Sequence, residues 1–184
     1  MDNIVFLKSN RLHLRALMEN DLTNVYLQWL NDDEVCRNNS HAVFPNTEHK
    51  MKTYYESLQN QNQVVLAIIH TDSAKHIGNV SLQNINWISR NAEFAMLLGD
   101  KEYWGGGYGE EAAKLIVEYG FSRLNLHRIY CGTLEDNESM KKLAGKLKMT
   151  EEGLRREAIF KNGQYHNIME YGVLKDEFFE NEVL

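Results

Sequence analysis

The chain has almost no proline: Pro45 is the single one in 184 residues. It has only two cysteines, Cys36 and Cys131, far apart and outside any paired motif. That argues against a disulfide scaffold or a zinc module and fits reduced thiols, so no metal is expected. No apolar run approaches the roughly 18 residues that span a bilayer. The opening Met1-Asp2-Asn3-Ile4 lacks the basic region and long apolar stretch of a signal peptide. A cytoplasmic location with no membrane partner is therefore expected. Basic charge is also scarce. Lys and Arg number 20 against 26 Asp and Glu, a formal net charge of −6, which argues against a nucleic-acid footprint. No repeat or low-complexity linker marks a boundary, and the length suits one domain over residues 1–184.

What is present is punctuated clearly. Ile4–Lys8 and Arg11–Leu17 read as strands, with Leu12 and Leu14 alternating with His13 and Arg15. Asp21 is placed to cap a helix through Leu22, Val25, Tyr26 and Trp29, and a short helix is expected over Asp32 to Arg37. A polar loop runs from Asn38 to Asn46, followed by a helix over Glu48–Leu58. Val64–Ile69 reads as a strand buried on both faces. Ile77–Leu82 and Asn91–Leu98 read as the next strands of an antiparallel meander. A helix over 107–121 would carry Ala112, Leu115, Ile116 and Tyr119 on one face. Arg128–Leu134 is the next strand, and Asn137 caps the next helix. Asn162-Gly163 joins two closing strands, because this dipeptide takes the positive φ of a tight hairpin turn. The order predicts an α/β (α+β) fold with a mixed, mostly antiparallel central sheet flanked by helices.

The densest signal is Trp104-Gly105-Gly106-Gly107-Tyr108-Gly109, which holds four of the twelve glycines. It lies between an apolar strand and a helix that opens with Glu110-Glu111. Bare backbone at a helix start aims several N–H groups at one anion. A P-loop needs Gly-Lys-Ser/Thr after its last glycine, and Glu110-Glu111 excludes it. A dinucleotide fingerprint starting at Gly105 needs glycine where Glu110 stands.

Residues 91–121 resemble the acetyl-CoA-binding core of the GNAT superfamily of N-acetyltransferases. Gly107-Tyr108-Gly109 matches the glycine part of its cofactor motif. Tyr103-Trp104 ahead of the glycines resembles the branch that acetylates the N-termini of ribosomal proteins. Arg11–Arg15 with Asp21-Leu22, Leu126–Ile129, Asn137-x-Ser139 and Asn162-Gly163 extend the likeness over nearly the whole chain. The resemblance implies a GNAT fold splayed between the family's fourth and fifth strands. It implies acetyl-CoA as cosubstrate, with its pyrophosphate over Trp104, Gly105, Gly106, Gly107, Tyr108, Gly109 and Glu110. It further implies that the backbone of Ala95, Met96, Leu97 and Leu98 binds the pantetheine arm, and that Asn137 and Ser139 touch the cofactor. Two residues depart from the family. Lys148-Met149 replaces the usual Gly-Phe, and Ala144 stands where many members carry an acidic tyrosine.

Acyl transfer to an amine needs a base, donors for the oxyanion and a proton for the leaving thiolate. Glu93, two residues before Ala95 and set among Ala92, Phe94 and Ala95, is the base candidate and a candidate amine contact. Ser139 offers an O–H for the thiolate, with Tyr130 and Tyr171 as alternatives. Trp29, Asn39, Ser40 and His41 are candidate acceptor contacts. Neither cysteine is placed as an activated nucleophile, so direct attack in a ternary complex is expected. The acceptor stays open between a protein N-terminal amine, a nucleotide-linked amino sugar and a polyamine. A non-catalytic CoA-binding protein is the reading from another class. A homodimer is compatible with the sequence.

Overall fold

A computed structural model describes residues 4–23, 25–59 and 62–180. The strands are β1 (Leu7–Lys8), β2 (Leu12–Ala16), β3 (Val64–His70), β4 (His76–Asn86), β5 (Asn91–Leu98), β6 (Arg128–Leu134), β7 (Thr150–Lys161) and β8 (Gln164–Leu174). They form one sheet in the order β1-β2-β3-β4-β5-β6-β8-β7. Every neighbouring pair is antiparallel except β5 and β6. The helices are α1 (Glu19–Leu22), α2 (Val25–Trp29), α3 (Glu48–Ser57), α4 (Tyr108–Ser122), α5 (Glu138–Lys146) and α6 (Lys175–Phe179).

Both faces of the sheet are covered, which explains the unbroken apolar run of β3. Its Leu66 and Ile68 join the core that includes α4 and α5, whereas Ala67 and Ile69 join the core beneath α1–α3. Strand side chains alternate between faces, so a strand covered twice is apolar at every position. In α4 the fully buried stripe is Ala112, Ala113, Ile116, Val117 and Phe121. Leu115 and Tyr119, expected on that face, flank it and are half-buried.

Two local expectations are corrected. Asp21 does not cap a helix running to Trp29. It is the third residue of α1, and its carboxylate accepts a bond from the Met18 N–H at 2.8 Å. The same carboxylate accepts two further bonds from the buried Arg15, of 2.6 and 2.8 Å. Residues 32–37 form hydrogen-bonded turns rather than a helix. Asp32 Oδ1 accepts from the Glu34 and Val35 N–H groups as a helix cap would, but after Cys36 the bonds fall back to three-residue turns, Arg37 to the Glu34 carbonyl and Asn39 to the Cys36 carbonyl.

The feature that makes a site is the junction of β5 and β6. Their parallel ladder lasts three pairs, Asn91↔Arg128, Ala92↔Ile129 and Glu93↔Tyr130. Beyond Glu93 the strands part. Ala95–Leu98 stays bonded to β4 but has no ladder partner on its other side. This is the splay that the resemblance implies for the family's fourth and fifth strands, found here between β5 and β6.

Candidate active site

A cleft of about 580 Å³ opens along this splay. Its floor is the free edge of β5 from Glu93 to Leu98. One end is walled by Trp104, Gly105, Gly107, Tyr108 and Gly109 at the start of α4, and one side by Gly132, Thr133, Asn137, Ser139 and Met140. Glu34, Arg37, Asn38, Asn39 and His41 line the same cleft.

The glycine loop is shaped by its backbone. Gly105 and Gly107 have φ of 75° and 79°, a region that side chains rarely enter. Gly107 caps α4, and the first helical bond runs from the Glu111 N–H to its carbonyl at 3.1 Å. The N–H groups of Tyr108, Gly109 and Glu110 therefore have no partner within the helix and sit at the positive end of its dipole.

Arg11 and Glu111 hold this loop in place. Arg11 donates to the Gly106 carbonyl at 2.9 Å and to Glu111 at 2.7 Å, and its guanidinium lies 4.4 Å from the centre of the Tyr108 ring. Glu111 also accepts from the Ser9 hydroxyl at 2.5 Å and the Arg11 N–H at 3.0 Å. Burial alone would raise the Glu111 carboxyl, but these bonds outweigh it and hold it below the usual range. Trp104 fixes the other flank by donating its indole N–H to the Leu98 carbonyl at 2.8 Å. The glycine loop is thus bolted to the turn between β1 and β2 on one side and to β5 on the other.

Glu110 bridges two helices, pairing with Lys114 at 2.7 Å and Lys146 at 3.2 Å. These lysines hold its carboxyl below the usual range. Lys142 and Lys146 also line the cleft, so cations stand beside the free N–H groups. The result is an anion site next to a strand edge that can hydrogen-bond an extended amide chain, the two features that CoA requires.

The acetyltransferase (GNAT) domain model matches residues 11–150. The chain belongs to the GNAT acetyltransferase family. The GNAT chain is 34% identical over 111 residues to spermidine N(1)-acetyltransferase of Escherichia coli strain K12, a match covering 60% of this chain and 59% of that protein. The chain thus spans about three fifths of that relative's length. Over 101 residues it is 30% identical to a Bacillus subtilis protein provisionally named a ribosomal N-acetyltransferase, covering 55% of each. Among solved structures, it is similar to spermidine N-acetyltransferase from Vibrio cholerae in complex with CoA and spermine. That likeness has a TM-score of 0.85 at 25% identity and covers 92% of this chain and 98% of the other.

Within this GNAT cleft, Glu93 lies on the floor where β5 and β6 begin to part. Asn84, at an irregular point of β4 with φ of 51°, donates to its carboxylate at 2.8 Å. Ser139 lines the cleft and is exposed. Asn137 lines it too, but both ends of its side chain are engaged. Its oxygen accepts from the Met140 N–H at 3.2 Å, and its nitrogen donates to the Thr133 hydroxyl at 2.8 Å. Ala144 is fully buried in the core, and neither Tyr130 nor Tyr171 is among the cleft-lining residues. Burial, ahead of neighbouring charge, pushes both tyrosine hydroxyls up. Cys131 is buried and its thiol is pushed up to about 12, chiefly by that burial. Cys36 is likewise raised by burial. Raised thiol pKa values leave little thiolate for nucleophilic attack.

The acceptor candidates divide. Asn39 and His41 line the cleft, whereas Ser40 is exposed and outside it. Trp29 is placed elsewhere. It is the last residue of α2 and is buried, its ring centre 5.1 Å from that of His76, and a Cβ on Gly99 would fall 2.0 Å from it. Its indole packs beneath the end of β5. Desolvation, with the Lys161 charge second, holds the His41 imidazole below its ordinary pKa.

Sequence reasoning missed Arg11, which reads as the polar half of a strand alternation. It also missed Thr133 and Lys161, since no local pattern shows which strand ends meet a loop. Among the described residues no three His, Cys, Asp or Glu side chains gather as a metal ligand set. None of the described helices is long and apolar enough to cross a membrane.

Proposed function

We propose that the protein is an acetyl-CoA-dependent N-acetyltransferase whose acceptor is a small polyamine-type primary amine. The observation that carries the transfer reading is the free edge of β5 running from Glu93 to the glycine loop. It supplies an acyl-donor track with a carboxylate at its inner end. Acetyl-CoA would lie with its pyrophosphate over the N–H groups of Tyr108, Gly109 and Glu110 and its pantetheine arm along Ala95–Leu98. Glu93 accepts a proton from the ammonium, directly or through one water, and the freed lone pair attacks the thioester carbon. The N–H groups of the β5 edge stabilise the oxyanion. Collapse breaks the C–S bond, and the Ser139 hydroxyl is the proposed relay: it gives its proton to the thiolate and regains one from the N–H⁺ of the newly acylated nitrogen.

Two observations support the polyamine acceptor. The cleft contains Glu93, which makes no ion pair among the described residues, as a carboxylate suited to an ammonium. The Vibrio cholerae relative, at 0.85 TM-score, holds CoA and spermine together. A protein N-terminal amine is the second reading, favoured by the provisionally named ribosomal relative. Competition decides between them. Spermidine and a short peptide with a free N-terminus are offered together with acetyl-CoA, and the acetylated products are separated by mass. The polyamine reading predicts acetylspermidine as the dominant product. Dominance of the acetylated peptide contradicts it.

A further inference from the structure

Lys161 is the last residue of β7, beside the Asn162-Gly163 turn and about 120 positions from the acceptor loop in sequence. Its ammonium donates to the Cys36 carbonyl at 2.6 Å and to the Asn39 carbonyl at 2.5 Å. It makes no ion pair among the described residues, so backbone carbonyls are its counter-dipoles. The segment it grips supplies Arg37, Asn38, Asn39 and His41 to the cleft, none of them buried. Other anchors lie at the two ends of this segment. Cys36 donates its thiol to the Trp29 carbonyl at 3.2 Å, and Asn46 donates to the Leu30 and His41 carbonyls at 2.8 and 2.9 Å. Between them, Lys161 joins the loop to the closing hairpin.

We propose that Lys161 is a positioning residue for acceptor selection: it clamps the 36–39 backbone and so sets where Asn38, Asn39 and His41 meet the amine. The proposal rests on the acetyltransferase reading for its catalytic consequence, but the clamp itself is independent of it. A long flexible side chain is ordered here because two carbonyls share one charge, and charge-assisted bonds are stronger than neutral ones. Methionine keeps the stem and removes the charge. Arginine keeps the charge and delivers its donors as a planar fork.

The test uses the full chain with Lys161→Met and Lys161→Arg. Amide hydrogen exchange is followed over residues 36–41, where the N–H groups of Cys36, Asn39 and His41 are bonded within the loop. Exchange there should rise about tenfold or more in K161M, the loss of bonds to a charged group. K161R should stay nearer to wild type. Steady-state kinetics with spermidine and acetyl-CoA should show the KM for spermidine up by about tenfold, with the KM for acetyl-CoA within about twofold. Unchanged exchange in K161M overturns the clamp. Raised exchange with an unchanged acceptor KM overturns the role in selection. If the wild type turns over neither spermidine nor a peptide amine, the acetyltransferase reading fails, while the exchange measurement still decides the clamp.

Discussion

Glu93 and Gly107 carry the most consequence per atom. Glu93 sits where the β5–β6 ladder ends, and Asn84 orients its carboxylate. Glu93→Gln removes the proposed base while keeping the side chain's shape and its place beside Asn84. Its kcat should fall by about 10²–10⁴-fold, as for loss of a general base, with the KM for acetyl-CoA little changed. Steady-state kinetics checks this, and a kcat within twofold of wild type would assign the proton to another group. Gly107 needs no side chain for space, since its nearest would-be contact is Arg11 Nη2 at 3.5 Å. It needs glycine for its φ of 79°. Gly107→Ala should cost about 1 kcal/mol of stability and raise the KM for acetyl-CoA, because the α4 N–H groups lose their aim. Urea denaturation and KM together test it.

At the scale of elements, α4 works because it is fastened at its beginning. Arg11 and Glu111 join the turn between β1 and β2 to the glycine loop, and Trp104 joins that loop to β5. Arg11→Met should raise the KM for acetyl-CoA by roughly tenfold, the value of one or two charge-assisted bonds, and leave the KM for the amine near wild type. Equal changes in both would mean the loop is not what Arg11 holds. This fastening was invisible in the sequence, although the loop it fastens was the plainest signal there. Glycines at 105–109 report a backbone conformation, which is local and therefore legible. The partner of Arg11 lies 100 positions away, and that of Lys161 farther still. The Asn162-Gly163 turn was legible for the same local reason, with φ of 51° and 83°. Trp29 shows the limit from the other side. An indole in an early helix near a polar loop fits an acceptor wall by pattern, but the tertiary fold buries it against Gly99 and His76. The turns at 32–37 begin as a helix capped by Asp32 would and then fall back to three-residue bonds, a change that residue spacing alone does not show.

The whole molecule holds a buried charge pair between β2 and α1. Arg15 and Asp21 have 7% and 8% exposed side chains and lie 2.6 Å apart, with His76 Nδ1 3.7 Å from the carboxylate. Burial would raise the Asp21 carboxyl. The Arg15 and Met18 bonds, helped by His76, outweigh it and hold it below the usual range. A carboxyl depressed on folding adds stability that is whole above its unfolded pKa, about 4, and disappears as pH falls through its folded value. Stability measured by urea should therefore drop as pH falls below about 4, and Asp21→Asn should lack that part of the drop. At pH 7 the same substitution should cost about 3–5 kcal/mol, because Arg15 is left charged and buried. A loss under 1 kcal/mol would mean that water reaches the guanidinium.

The splay, the glycine cradle and the carboxylate at their junction all rest on one claim: acetyl-CoA and an amine meet in this cleft. Thiol release from acetyl-CoA by the purified full chain, with and without spermidine, tests it most directly. The account predicts amine-dependent release of CoA, matched mole for mole by acetylated amine and largely lost in Glu93→Gln. Tight CoA binding with no release in the presence of any primary amine would contradict it.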